Sequence, residues 1–81
     1  LHDNPHGSYK SYFGDGTLRY EAEYDFGRLN GLQKKYNKNG ILLSEINFNQ
    51  GIKDGLSKFY DNNGNLMYIL LYKDDVVVKV D

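Results

Sequence analysis

Gly7, Gly31 and Gly55 stand 24 residues apart, and each opens the same phrase: Gly-x-x-Lys-x-Tyr, a turn ending in Gly, then Leu and an apolar stretch. Laid in register, Lys10/Lys34/Lys58, Tyr12/Tyr36/Tyr60, Gly16/Gly40/Gly64 and Leu18/Leu42/Leu66 are identical in all three copies, and Tyr24/Phe48/Tyr72 keeps an aromatic ring. A unit this short cannot bury its apolar face alone, so a period held without insertion implies a stacked array in which each repeat packs on its neighbours. Arrays of this kind supply surfaces for partners and rarely carry chemistry.

The bulk properties narrow the function further. With 81 residues the chain makes one small domain that buries a modest share of its surface, and a sizeable catalytic cleft does not fit easily. Cysteine is absent, which removes disulfides and thiolate metal sites. Hydrophobic residues at 40% and aromatics at 15%, with eight tyrosines and one proline, favour a folded β-rich domain over a disordered segment. The net charge is -1, with basic and acidic residues interspersed, so a basic nucleic-acid-binding face is not expected. No apolar run approaches the ~20 residues that cross a bilayer as a helix. The chain opens on Leu with no signal-peptide pattern behind it, which reads as a piece of a longer protein.

Each unit holds two short alternating stretches joined by a glycine turn: Gly-Asp-Gly at 14–16, Lys-Asn-Gly at 38–40 and Asn-Asn-Gly at 62–64. Asp or Asn before a fixed Gly fits a type I turn followed by a left-handed Gly in a G1 bulge, with a two-residue type I′ turn as the competitor. The bulged form sets Tyr12 opposite Leu18, Tyr36 opposite Leu42 and Tyr60 opposite Leu66, whereas the two-residue form slips the register by one and reverses the side chains. Burial selects the bulged form. The second connections carry Gly27 and Gly51, so hairpin follows hairpin. The expected fold class is all-β, a single-layer antiparallel meander of tandem β-hairpins in about three 24-residue repeats. It comprises a leading segment at 1–6 and an array over 7–81, with units 7–30, 31–54 and 55–78 and a divergent C-terminal cap.

In this register one face is expected to read Tyr12, Leu18, Tyr20, Ala22, Tyr24, Leu32, Tyr36, Leu42, Ile46, Phe48, Leu56, Tyr60, Leu66, Tyr68, Leu70 and Tyr72. The other reads Arg19, Glu21, Glu23, Glu45 and Asn47, turning apolar at Met67, Ile69 and Leu71.

The motif Gly-x-x-Lys-x-Tyr-x-x-x-Gly-x-Leu-x-x-Glu-x-x-Tyr/Phe-x-x-Gly-x-x-x-Gly resembles the variant MORN repeat, of the form seen in bacterial proteins labelled as toxin–antitoxin antitoxins. Residues 7–30 and 31–54 match throughout; 55–72 match through Tyr72 with Ile69 in place of Glu and without the two closing glycines. The resemblance implies an elongated sheet of successive hairpins and roles in protein interaction, scaffolding and sometimes lipid association. Related repeats precede the catalytic domain of plant phosphatidylinositol phosphate kinases. This chain has no Gly-rich phosphate loop, catalytic-loop motif or Asp-Phe-Gly, so a kinase label would describe a relative's other domain.

The candidate interaction surface is the aromatic set Tyr12, Tyr20, Tyr24, Tyr36, Phe48, Tyr60, Tyr68 and Tyr72. Tyrosine supplies amphipathic contact area at small entropic cost, which suits a protein partner. The competing account is structural, because a single-layer sheet must cover its apolar face and long rings cover each other. Lys10, Lys34 and Lys58 fall on the same side, either with their stems packed on Tyr20 or Tyr68 or as contacts for anionic lipid headgroups. His2 and His6 with Asp3 form an ordinary chain end, not a metal site. The Asp-rich turns lack the oxygen set of a calcium loop, and no serine has a His/Asp partner. No catalytic residue, metal or cofactor is expected. The run Leu70 to Tyr72 and Val76 to Val80 is strongly β-prone and predicts self-association through a C-terminal edge strand or through the apolar third-repeat face at Met67, Ile69 and Leu71, unless residues 76–80 fold back over that face.

Overall fold

A computed structural model describes residues 7–81. The three glycine turns form as the sequence requires. Phe13 N–H donates to Thr17 O at 2.8 Å and Gly16 N–H to Phe13 O at 2.9 Å, and Gly16 takes φ 93°; Asn37–Ile41 and Asp61–Asn65 repeat the pattern. This is a type I turn closed by a left-handed glycine. Side chains fasten it from within: Asn37 Oδ1 accepts the N–H groups of Asn39 and Ile41, and Asp61 Oδ1 those of Asn63 and Asn65. Four charge-assisted or Asx-type bonds of this sort hold the chain reversal without any packed core.

The second connections are tighter. Asp25 pairs with Arg28, Asn49 with Ile52 and Lys73 with Val76, leaving two-residue loops in which Phe26 and Gly27, Gln50 and Gly51, and Asp74 and Asp75 all have positive φ. That is the type I′ geometry, whose twist matches the strands it joins. Successive loops are tied to each other: Gly51 N–H donates to Leu29 O at 2.7 Å, and Asp75 N–H to Lys53 O at 2.9 Å.

The result is seven strands, β1 (Gly7–Tyr12), β2 (Leu18–Asp25), β3 (Arg28–Tyr36), β4 (Leu42–Asn49), β5 (Ile52–Tyr60), β6 (Leu66–Lys73) and β7 (Val76–Val80), in one antiparallel sheet in chain order. Its extents of 44 × 37 × 12 Å are those of a single layer with side chains on both sides. Burial is correspondingly thin: Ala22, Ser44 and Ser57 are buried, each a small residue set among longer ones. β7 pairs edge-on with β6 and does not fold back over Met67, Ile69 and Leu71, because hydrogen bonds along the strand satisfy more backbone than a turn across a face would. At Lys79, where the earlier units have Gly31 and Gly55 at φ 114° and 104°, the positive-φ bulge is missing, and Leu70 pairs with Val80 in a shorter register.

Candidate interaction surface

The predicted pairs Tyr12–Leu18, Tyr36–Leu42 and Tyr60–Leu66 are present, but the side chains beyond them do not stay on one face. Each hairpin has a second bulge just after the Leu. Ser11 pairs with Tyr20, Lys35 with Ser44 and Phe59 with Tyr68, so Arg19, Leu43 and Met67 are extra residues in β2, β4 and β6. One extra residue resets the two-residue alternation, and everything after it changes sides. The expectation of a single aromatic face is therefore corrected.

On one side, here called the tyrosine face, lie Tyr9, Tyr20, Ala22, Tyr24, Ile46, Phe48, Ser57, Phe59, Tyr68, Leu70 and Tyr72, matched by the pairs Tyr9–Ala22, Ala22–Gln33, Gln33–Ile46, Ile46–Ser57 and Ser57–Leu70. Tyr9 meets Tyr20 and Tyr24 edge to face at 6.0 and 6.3 Å, and Phe59 stacks on Tyr68 at 4.8 Å. Gln33 Nε2 donates to Tyr20 Oη at 2.9 Å. The Tyr24 hydroxyl is held above its ordinary pKa, first by its hydrogen bond with Tyr20 and then by burial. Of the eight aromatics expected at the interaction surface, Tyr20, Tyr24, Phe48, Tyr68 and Tyr72 are here; Tyr9 and Phe59 join them. Those two were hidden in the sequence because they alternate with Lys10, Tyr12, Lys58 and Tyr60.

The opposite side is the ladder face. It carries Tyr12, Tyr36 and Tyr60 together with Lys10, Lys34 and Lys58, and the lysines do not pack on Tyr20 or Tyr68. Their partners are carboxylates: Lys10 pairs with Glu21, Glu21 with Lys34, Lys34 with Glu45, Glu45 with Lys58 and Lys58 with Ile69 in one row across the sheet. Lys10 Nζ lies 3.9 Å from Glu21 Oε2. Tyr36 Oη donates to Glu21 Oε1 at 3.1 Å and Tyr60 Oη to Glu45 Oε1 at 3.2 Å. Burial first, then the neighbouring carboxylate, holds both hydroxyls above their ordinary pKa. Opposite charges directly across strands are favourable. With acids between them, the three lysines offer anionic lipid a weaker field than a bare basic row. The cation over a ring is instead Lys53, 5.1 Å from the Tyr72 centroid on the tyrosine face.

A concavity of about 430 Å³ opens beside the turns of the first two units and is lined by Tyr9, Ser11, Arg19, Tyr20, Lys35, Tyr36 and Leu43. The bulge is what places Arg19 there: its Nε and Nη2 donate to Ser11 Oγ at 3.3 and 3.2 Å. All three glutamates are on the ladder face, whereas Arg19, Lys35 and Lys53 are on the tyrosine face. Among the described residues no group of three His, Cys, Asp or Glu could hold a metal ion, and His2, Asp3 and His6 lie outside those residues.

The sequence model described as "MORN repeat variant" matches this chain in three consecutive stretches, residues 5–25, 29–50 and 53–74. No curated protein and no solved structure matches it.

Proposed function

The chain belongs to the MORN repeat variant family, and from that premise we propose that it is a non-catalytic module that docks a protein segment on its tyrosine face. One observation supports this reading above others: the sheet is a single layer, and among the described residues no second layer covers its aromatic side. In most domains an apolar sheet face is buried against helices or another sheet. Here Tyr9 remains 51% and Tyr68 41% exposed although they sit in ring clusters, so the rings cover one another only in part. Rigid, amphipathic rings presented this way suit protein contact. Scaffolding between partners is the corresponding cellular role.

Photo-crosslinking residues placed at Tyr68 and, on the ladder face, at Leu42 test the reading in the native host. Protein adducts are expected at position 68 and few at position 42. Adducts arising mainly from position 42, or lipid adducts alone from either, would defeat it, and the second outcome would favour headgroup contacts by Lys10, Lys34 and Lys58.

A further inference from the structure

The segregation of charge specifies the partner more closely, on the premise that the tyrosine face is the docking side. We propose that the concavity beside Arg19 and Lys35 receives an extended acidic peptide segment, one carboxylate held between the two cations and a flanking apolar side chain laid on Tyr9 and Tyr20. The argument starts from balance. Every glutamate of the chain stands on the ladder face, interleaved with Lys10, Lys34 and Lys58. The tyrosine face has Arg19, Lys35 and Lys53, with none of those glutamates to neutralise them.

Arg19 is set up for such a contact. Its guanidinium spends two donors on one neutral hydroxyl, Ser11 Oγ, at 3.3 and 3.2 Å. Those bonds fix the plane of the group and leave its other N–H donors directed away from Ser11, the fork geometry that carboxylates accept. Among the described residues the ion pairs within 4.0 Å are Lys10–Glu21 and Lys79–Asp81, so no acid among them engages Arg19 or Lys35. Lys35 stands on β3 directly opposite Tyr20, one strand over from Arg19.

Shape selects the class of ligand. A trough of about 430 Å³ is at the low end of the range for binding sites, wide enough for a few side chains. Its floor includes Tyr9 and Tyr20, whose faces take apolar or aromatic groups. An anionic membrane or a nucleic acid would need more cations than Arg19, Lys35 and the distant Lys53, since each surface cation adds only a small headgroup attraction and nucleic-acid binding grows with the number of phosphates neutralised. A single acid flanked by apolar residues fits two cations over two rings.

The test uses a fluorescein-labelled dodecapeptide alternating glutamate with valine and phenylalanine, a glutamine-for-glutamate control, and vesicles with and without anionic lipid. Binding is read by anisotropy and mapped by amide chemical shifts of the chain. The glutamate peptide is expected to shift Ser11, Tyr20 and Lys35, and to bind on the order of tenfold more tightly than the control. Arg19→Gln and Lys35→Gln should each erase most of that preference, while Lys34→Gln on the ladder face should leave it intact; retained amide dispersion confirms that each variant folds. Equal affinity for both peptides at the tyrosine face would overturn the acidic-segment inference and leave that face as the docking side. Shifts confined to Lys34, Glu45 and their neighbours would overturn both. No peptide binding, or the same shifts produced only by anionic vesicles, would also reject the acidic segment.

Discussion

Tyr36 donates its hydroxyl to Glu21, a residue of the preceding unit, and Tyr60 repeats the bond to Glu45 one unit further on. Each tyrosine thereby ties its repeat to the one before, while the same glutamate faces a lysine on the strand to either side. In a one-layer sheet, where few side chains are buried, such links take over part of the work that a core does elsewhere.

Alkaline pH should expose that contribution. The folded pKa of Tyr36 and of Tyr60 lies above the ordinary 10.0, so their stabilisation is complete below pH 10 and is lost as the pH rises through the elevated folded values. Urea midpoints measured from pH 8 to pH 11 are expected to fall steeply at the top of the range. In a Tyr36→Phe/Tyr60→Phe double variant the unfolding free energy at pH 8 should be lower, by about 1 kcal/mol per lost bond, and the alkaline decline of the midpoint shallower. Parallel curves for the two proteins would show that these hydroxyls are not the groups responsible.

Gly55 sits at φ 104° in the bulge opposite Asn47, whose Cβ would be 3.5 Å from an added methyl. Space is adequate, but the backbone conformation is not one a side chain tolerates. Gly55→Ala is expected to cost about 1–3 kcal/mol, against a small gain or no change for Gly14→Ala, where φ is ordinary and nothing lies within 4 Å. Similar losses from the two substitutions in chemical denaturation would contradict the strain argument.

Ser57 is fully buried between Ile46 and Leu70, and its Oγ has no hydrogen-bond partner among the described residues. Burying an unpaired hydroxyl costs about 1–3 kcal/mol. Ser57→Ala should therefore raise the melting temperature, with no loss of ring contacts around it. A lower melting temperature would mean that the hydroxyl is satisfied in solution.

In the 81-residue chain β7 forms an outer strand with four exposed valines, Val76, Val77, Val78 and Val80. Edge pairing between copies is the expected consequence. Light scattering over a concentration series should show mass rising above 9.4 kDa, and Val77→Lys should suppress the rise. A constant 9.4 kDa mass would exclude it.

The periodic glycines, the Asp and Asn beside them and the strict 24-residue spacing determined by themselves the hairpins, their order, the type I turns with left-handed Gly16, Gly40 and Gly64, and the pairs Tyr12–Leu18, Tyr36–Leu42 and Tyr60–Leu66. These rest on local backbone preferences and, for the choice of the bulged turn, on the apolar pattern around it, both of which a short window of sequence contains. The faces did not. Whether Tyr36 shares a side with Tyr20 or with Glu21 depends on one unpaired residue per hairpin, Arg19, Leu43 or Met67, and that residue is extruded only when the strands on both sides are in place. Lys10 then meets Glu21, Lys34 meets Glu45, and Arg19 swings to Ser11. The choice is made by pairing energies between distant segments, so it belongs to the assembled sheet, and with it the separation of a charged ladder from a tyrosine face.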